Sequence, residues 1–401
     1  MDSPTLLSTM RPLGERASRT LLGATLALGT WIGASSPPLA AAELPTIVEA
    51  SQVNQNTLGV VFHYEDVYHR YITDMAEAFG ESDGLRVVPI IGLNHVQSVY
   101  DMLYMRGIDL GIVHSDVLEY MARVQGYTRV YQRINALAEL FAEKIAVIAG
   151  EDHRSLGDLS GLKVNFGKLG KGSDVAGTLL FDTLGIEVEP TRFDKDEALE
   201  KVKSGDIAAM IYLIEGPEDA FTSLSPADEI RLVALPQDER LLAHYRVSEL
   251  TSEEFPELIK GDGAVPSLEV PVIVAAYNWP ASETARYEKS RRFTTALLDG
   301  LDGLREKDEA LWGEFRIAED VPGVPRLPLV DTILAERAAL ERRLAAQEAA
   351  EREAQLRARR QELMAELAGQ LEQGSVDQEA LGELERLIEQ FQKTLDEGEQ
   401  E

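Results

Sequence analysis

Short apolar runs alternate with amphipathic helical patterns from residue 43 to about residue 328, and this alternation limits the possible folds most strongly. Strands that alternate with helices indicate an α/β fold. The segment is also long enough for two lobes of ordinary domain size. The predicted strands are Thr46–Ala50, Arg86–Ile91, Asp109–Val113, Lys144–Ala149, Lys163–Asn165, Ile207–Leu213, Ile230–Ala234 and Val270–Tyr277.

The first 42 residues have the features of a secretory signal peptide. Arg11, Arg16 and Arg19 precede an apolar run from Leu21 to Ile32, and small residues follow up to Ala42. The run has about a dozen residues, whereas a membrane-spanning helix needs about 20. We therefore predict export to the periplasm with cleavage near Ala42, and an uncleaved signal anchor is the alternative.

The composition excludes several kinds of chemistry. The net charge of −30 disfavours nucleic acids and anionic membranes as partners. The sequence has no cysteine, which excludes disulfides, thiolate nucleophiles and iron–sulfur clusters. The six histidines form no HExxH pair, and scattered histidines are usually ordinary surface or core residues. We predict a protein that is not an enzyme and uses no metal or cofactor.

A proline-rich break from Val321 to Pro328 separates this body from a tail rich in Ala, Glu, Arg, Gln and Leu. A long helix is predicted from Asp331, and Ser375 with Gln378 forms a capping box for a second helix. An apolar stripe in the second helix is typical of a coiled coil or a helical hairpin. The stripe comprises Leu381, Leu384, Ile388, Phe391 and Leu395, and we expect it to be buried against another helix.

The tail helix has a different character between Glu348 and Arg360, where its stripe contains only alanine and charged residues. Such a stretch is either solvated or covered by a partner surface. The tail is therefore a candidate for self-association or for binding another protein.

A glycine-rich segment from Gly167 to Asp174 follows a predicted strand and opens a helix. It does not match the phosphate-binding loop, because Ser173 stands where that motif requires lysine. Its glycines allow close backbone approach, the helix N-terminus offers free N–H groups, and Lys168 and Lys171 add positive charge. The segment is a candidate anion site, and an ordinary strand-to-helix turn is the alternative.

Three segments follow one another in the order and spacing of a known family's motifs: Gly107–Asp116, Ser155–Val164 and Gly167–Asp174. They resemble the TAXI family, the extracytoplasmic solute receptors of TRAP transporters. The family also has a glycine-rich stretch after its first strand. The corresponding residues here, Ser51–Tyr64, have amides in place of most of those glycines.

The resemblance implies a two-lobed type II periplasmic-binding-protein fold that closes on its solute by a hinge motion. Lobe one would comprise residues 43–140 and 272–328, lobe two residues 141–271, and residues 329–401 a helical hairpin or coiled-coil extension. The implied function is capture of a small organic anion or amino acid for a TRAP-type permease. The alternative is a sensory or adaptor protein whose tail binds an envelope partner.

We expect the solute between the lobes, because open α/β sheets bind ligands at the carboxyl ends of their strands. Lys168 or Lys171 would neutralise the anion, Ser173 would offer its hydroxyl and backbone N–H, and Asn54 or Asn56 would fix its orientation. Asp116 and Asp174 could be helix caps instead of ligand-binding residues. The predicted ligand-binding residues are Asn54, Asn56, Thr57, Tyr64, His114, Ser115, Asp116, Lys168, Lys171, Gly172, Ser173, Asp174, Tyr212 and Glu215.

Overall fold

The computed structural model describes residues 56–64, 66–82, 85–214, 221, 224 and 226–373. Beyond these it describes residues 378–379, 381–383, 385–386 and 388–389. The predicted signal peptide and the predicted strand Thr46–Ala50 lie outside these residues. Within the described ranges, no helix combines the length and the apolar character that a membrane crossing requires.

The described residues form one ten-stranded sheet with helices on both faces. The strands are β1 Thr57–His63, β2 Arg86–Gly92, β3 Leu110–His114, β4 Ile134–Gly150, β5 Lys163–Asn165, β6 Glu189–Thr191, β7 Ala209–Ile214, β8 Ile230–Leu232, β9 Arg246–Leu250 and β10 Val265–Tyr277. The helices are α1 Asp66–Ser82, α2 His95–Tyr104, α3 Val117–Arg123, α4 Val130–Arg133, α5 Gly172–Leu184, α6 Lys195–Lys203, α7 Glu239–Leu242, α8 Thr284–Lys307, α9 Glu309–Trp312 and α10 Pro328–Glu372.

The strand order β2-β1-β3-β10-β4-β7-β5-β6 divides the sheet into two lobes. Strands β1, β2 and β3 are parallel in lobe one, and β5, β6 and β7 are parallel in lobe two. The antiparallel pair β4 and β10 runs through both: β4 pairs with β10 in its first part and with β7 from Lys144 to Ala149. The expected two-lobed α/β fold is confirmed, while the exact lobe boundaries stay a prediction.

Each lobe has a hydrophobic core on both faces of its part of the sheet. In lobe one, Tyr71 and Met75 of α1 pack with Phe293 of α8 on one face, and α2 and α3 cover the other. Residues three and four apart on α1 face inward, as expected for an amphipathic helix. In lobe two, one cluster surrounds Ile211 and a second surrounds Met210, its neighbour on the opposite face of β7.

Strand β1 is the main element that the sequence pattern did not predict. Its residues Leu58 to Phe62 are all buried, because β1 lies between β2 and β3 and hydrophobic clusters cover both faces of the sheet there. A parallel strand buried on both faces lacks the alternation of apolar and polar residues that marks a half-exposed strand. Gly59 is required within it, because a Cβ atom there would lie 1.9 Å from the carbonyl oxygen of Gly107.

The predicted tail helix is present as α10, which has 45 residues and is therefore about 67 Å long. Its first turns join the lobe-one core through Leu329, Val330 and Ile333. Leu363 and Leu367 are buried again, and Arg359 Nη2 donates to a Glu383 carboxylate oxygen at 2.9 Å. The chain thus folds back beside α10.

The apolar stripe of the second tail helix is less buried than the sequence predicts. Leu381 and Ile388 are 40% and 38% exposed. Ser375 lies outside the described residues, and nothing is described of the side chains of Leu384, Phe391 and Leu395. The predicted capping box and the rest of the stripe therefore stay predictions.

Candidate functional site

A cavity of about 400 Å³ lies at the carboxyl ends of β1, β3, β5 and β7, where the two lobes face each other. This is the edge at which open α/β sheets bind ligands. Lobe one contributes His63, Tyr68, His95 and His114 to the lining of the cavity, and β4 contributes Glu143. Lobe two contributes the loop before α5, the start of α6 and the end of β7.

Three imidazole rings form the lobe-one side of the cavity, which we call the histidine wall: His63, His95 and His114. His63 and His114 end β1 and β3, and His95 is the first residue of α2. The His95 and His114 rings are stacked with their centroids 4.0 Å apart, and His63 meets His95 edge-on at 5.8 Å. The end of each strand therefore brings its histidine to the same place.

Glu143 fixes the position of this wall from below. Tyr68 Oη donates to Glu143 Oε1 at 2.6 Å, and His114 Nε2 lies 3.1 Å from Glu143 Oε2. All three side chains are almost fully buried. A buried carboxylate is stable only with such partners, because it has lost its hydration.

His95 is the most unusual group of the wall. Its side chain is 3% exposed, and its Nδ1 has no hydrogen-bond partner among the described residues. Burial lowers the pKa of His95 well below its ordinary value, and the neighbouring His114, His63 and Lys171 lower it further. The ring is therefore neutral near pH 7, and it carries a buried nitrogen atom without a partner among the described residues.

The lobe-two side of the cavity presents the N-terminus of α5, with Lys171 at the N-cap position and Gly172 as the first helical residue. Backbone N–H groups at such an N-terminus carry partial positive charge and bind anions. A Cβ atom on Gly172 would lie 2.2 Å from His114 Cε1. Only glycine therefore allows α5 to approach the histidine wall this closely.

Other charged groups surround this helix N-terminus. Lys168 Nζ pairs with Asp194 Oδ1 at 2.6 Å, and both side chains are well exposed. Lys195 Nζ lies 3.0 Å from Tyr212 Oη and 4.1 Å from the centre of the same ring. These contacts place lysine side chains along the lobe-two rim of the cavity.

Six of the predicted ligand-binding residues line the cavity: His114, Lys168, Lys171, Gly172, Ser173 and Tyr212. The structure corrects the expected role of Ser173, because its Oγ donates to the carbonyl oxygen of Phe166 at 3.0 Å. That hydroxyl is already used within the protein. Only the backbone N–H of Ser173 therefore remains as a possible contact to a solute.

Ser115, Asp116 and Asp174 are absent from the cavity lining and are buried. Asp116 accepts a hydrogen bond from Tyr245 Oη at 2.8 Å, makes no helix-cap hydrogen bond, and has its pKa raised to about 6 by burial. Asp174 accepts from the Gly170 N–H at 2.7 Å and pairs with Arg192. These residues support the walls rather than contact a solute.

The structure does not bring Asn56 and Thr57 to the cleft. Thr57 begins β1, so both residues lie at the amino edge of the sheet, where Arg292 Nη1 donates to Asn56 Oδ1 at 2.7 Å. The sequence interpretation did not predict β1 and treated these residues as a loop that follows an earlier strand, which put them at the wrong edge of the sheet. Tyr64 follows β1 but is half exposed and outside the lining.

Asn54 and Glu215 lie outside the described residues. In the other direction, the sequence analysis missed His63, Tyr68, His95, Glu143 and Lys195, all of which line the cavity. The interpretation that the histidines are scattered is wrong for His63, His95 and His114, which lie together at the cavity. A histidine directly after an apolar run, as at the ends of β1 and β3, was the available signal.

No protein-family model and no curated protein matches the chain. Among solved structures, PhnD1 from Prochlorococcus marinus in complex with methylphosphonate is 12% identical, with a TM-score of 0.42 over 72% of this chain and 99% of PhnD1. A TctC solute-binding protein from Polaromonas is 14% identical, with a TM-score of 0.36 over 62% of this chain and 88% of its own.

The L-cystine solute receptor of Neisseria gonorrhoeae, in its unliganded open conformation, is 13% identical. Its TM-score is 0.32, over 68% of this chain and 99% of the receptor. Likenesses of this size carry no argument about what the present chain binds.

Proposed function

We propose that the chain is a non-enzymatic receptor that captures a small organic anion between its lobes. The observation that carries this proposal is the placement of the α5 N-terminus and Lys171 opposite His95 across the cavity. A helix N-terminus attracts negative charge, and the cavity of about 400 Å³ suits a small molecule.

Contacts between the lobes beside the cavity support a mechanism of hinge closure. Asn94 Nδ2 donates to the carbonyl oxygen of Leu169 at 3.1 Å, and Arg123 Nη2 donates to Asp182 Oδ2 at 2.6 Å. The strands β4 and β10 pass between the lobes, and their pairing has two register shifts. Rotation about these two strands would separate the side-chain contacts and open the cavity.

The finer assignment is a periplasmic receptor of the TAXI family that delivers its anion or amino acid to a TRAP-type permease. Its support is the set of sequence motifs, of which Gly172 and Ser173 lie in the cavity lining. The predicted signal peptide agrees with such a location. The lobe boundaries at residues 140 and 271 are part of this proposal, and both fall within the crossing strands β4 and β10.

Thermal unfolding with a panel of acetate, succinate, glutamate and taurine tests the function. A ligand that binds only the folded protein stabilises it by about 2.7 kcal/mol at a hundredfold excess over its Kd. We expect at least one anion to raise the unfolding temperature, and a neutral analogue such as glycerol to leave it unchanged. A complete absence of shifts would refute the receptor function.

A second candidate function, an adaptor that binds an envelope partner through its tail, is favoured by one observation. The part of α10 from residue 341 to residue 352 is exposed along its whole length. A chain truncated after Arg337 would keep the α10 residues that pack on lobe one. If this truncated chain has the same oligomeric state as the full chain in sedimentation and still binds the anion, the tail has no role in self-association or in anion capture.

A further inference from the structure

His95 combines three properties that ordinary core histidines do not share. It is almost fully buried, it lines the cavity, and its Nδ1 has no partner among the described residues. A buried polar atom without a partner destabilises the fold, because it has lost its hydrogen bonds to water. A cavity-lining side chain that carries such an atom is suited to complete its hydrogen bonds with a ligand.

The groups that face His95 come from every element around it. They are His63 from β1, Tyr68 from α1, His114 from β3 and Lys171 from the loop before α5. Glu143 of β4 reaches the same network through His114 and Tyr68. None of these four side chains is a carboxylate, so they offer no counter-ion to a positive charge on the His95 ring.

The charges of the wider lining are balanced while the histidines are neutral. The three lysines Lys168, Lys171 and Lys195 stand against the carboxylates of Glu143, Asp194 and Asp196. An anion that enters this cavity adds negative charge next to an imidazole that is neutral only because burial and positive neighbours keep it so. The same anion would favour protonation of that ring.

Resting on the proposed receptor function, we propose that His95 is the residue that binds the acid group of the solute, and that the protein takes up one proton on His95 with each anion. The proton comes from water and binds the free ring nitrogen. The resulting N–H donates to the anion, which is also held by Lys171 and the α5 N-terminus. Charge-assisted hydrogen bonds of this kind are stronger than neutral ones.

This coupling fixes how affinity depends on pH. The complex binds one proton more than the free protein at any pH between the pKa of His95 when the cavity is empty and its pKa when the anion is bound. Within that window the affinity falls as pH rises, by up to about tenfold per pH unit. Outside the window the affinity does not depend on this residue.

The test is calorimetric titration of the full chain with succinate and taurine from about pH 5.5 to about pH 8.5. The sulfonate of taurine stays charged throughout this range, and the protons taken up with succinate are counted at the centre of the range, above the pKa values of its carboxyl groups. The chains are the wild type, His95→Gln and the matched control His153→Gln, whose histidine lies outside the cavity lining. Repeating one pH in buffers of different ionisation enthalpy counts the protons taken up.

We expect the wild type and His153→Gln to take up about one proton per anion and to lose affinity as pH rises. We expect His95→Gln to take up none and to lose the slope. Binding by the wild type without proton uptake, or an unchanged slope in His95→Gln, would overturn the inference while leaving the receptor function standing. Binding of neither probe at any pH would instead count against the receptor function itself.

The proton count of the wild type does not depend on any substitution. Absence of proton uptake in the wild type therefore overturns the inference even if His95→Gln unfolds, which circular dichroism of each chain would reveal.

Discussion

The two walls of the cleft are built from different parts of the chain. Lobe one presents His63, His95 and His114, placed by the ends of strands and by α2, and the last two are buried. Lobe two presents mainly backbone N–H groups of the α5 N-terminus, with lysines around them. The lobe-one wall is therefore fixed by the core, whereas the lobe-two wall depends on how closely a helix can approach.

The largest expected difference between the walls is in how much a substitution in each lowers the free energy of unfolding. Glu143→Ala removes the carboxylate that contacts His114 and Tyr68, and each hydrogen bond to such a charged group contributes about 1.5 to 3 kcal/mol. Lys168→Ala in the other wall breaks an exposed pair with Asp194, which contributes at most about 1 kcal/mol. Urea unfolding of both variants measures the two losses, and equal losses would show that the lobe-one wall is not fixed by its core.

The next effect concerns the approach of α5. Gly172→Ala places a Cβ atom against the His114 ring, so the helix must shift away from the histidine wall. We expect affinity for the best anion of the thermal panel to fall about a hundredfold, equivalent to about 2.7 kcal/mol.

The control for that change is Gly303→Ala in α8, where a new Cβ atom meets nothing within 4 Å. This variant should bind like the wild type and gain slightly in stability, because alanine favours helices. Unchanged affinity in Gly172→Ala would mean that the close approach of α5 is not needed for binding.

The smallest effect concerns the place where the lobes meet behind the cavity. Burial raises the pKa of Asp116 to about 6, from an ordinary value of 3.8. The folded protein therefore binds more protons than the unfolded chain between about pH 4 and about pH 6. The stability that this group contributes is complete below that window and is lost as pH rises through it.

Asp116→Asn keeps an acceptor for Tyr245 but removes the titration. Across this window we expect the wild type to lose on the order of 2 kcal/mol relative to the variant, measured by urea unfolding at each pH. The control is Asp206→Asn, an exposed aspartate that should change the pH profile little. If the free energy of unfolding depends on pH in the same way in the wild type and in Asp116→Asn, Asp116 does not cause this pH dependence.

The sequence allowed the α/β fold, the long tail helix and the start of a helix after the glycine-rich segment to be predicted. Each depends on local signals: apolar runs such as Val270–Tyr277, the proline-rich break before α10, and glycines next to Lys168 and Lys171. The positions of the residues that the sequence analysis missed depend on partners far away in the chain. Tyr68 and Glu143 are 75 positions apart in the chain, and no local pattern indicates their hydrogen bond.

The sequence by itself indicated most of the strands and helices, because backbone conformation follows periodicity, proline and glycine over a few residues. Only the tertiary structure revealed β1 and its register, which moved Asn56 and Thr57 away from the cleft and brought His63 to it. It also decided that His95 and His114 stack, since the two side chains meet only when the fold fixes the distance between α2 and β3. The chemistry of the candidate site comes from that packing.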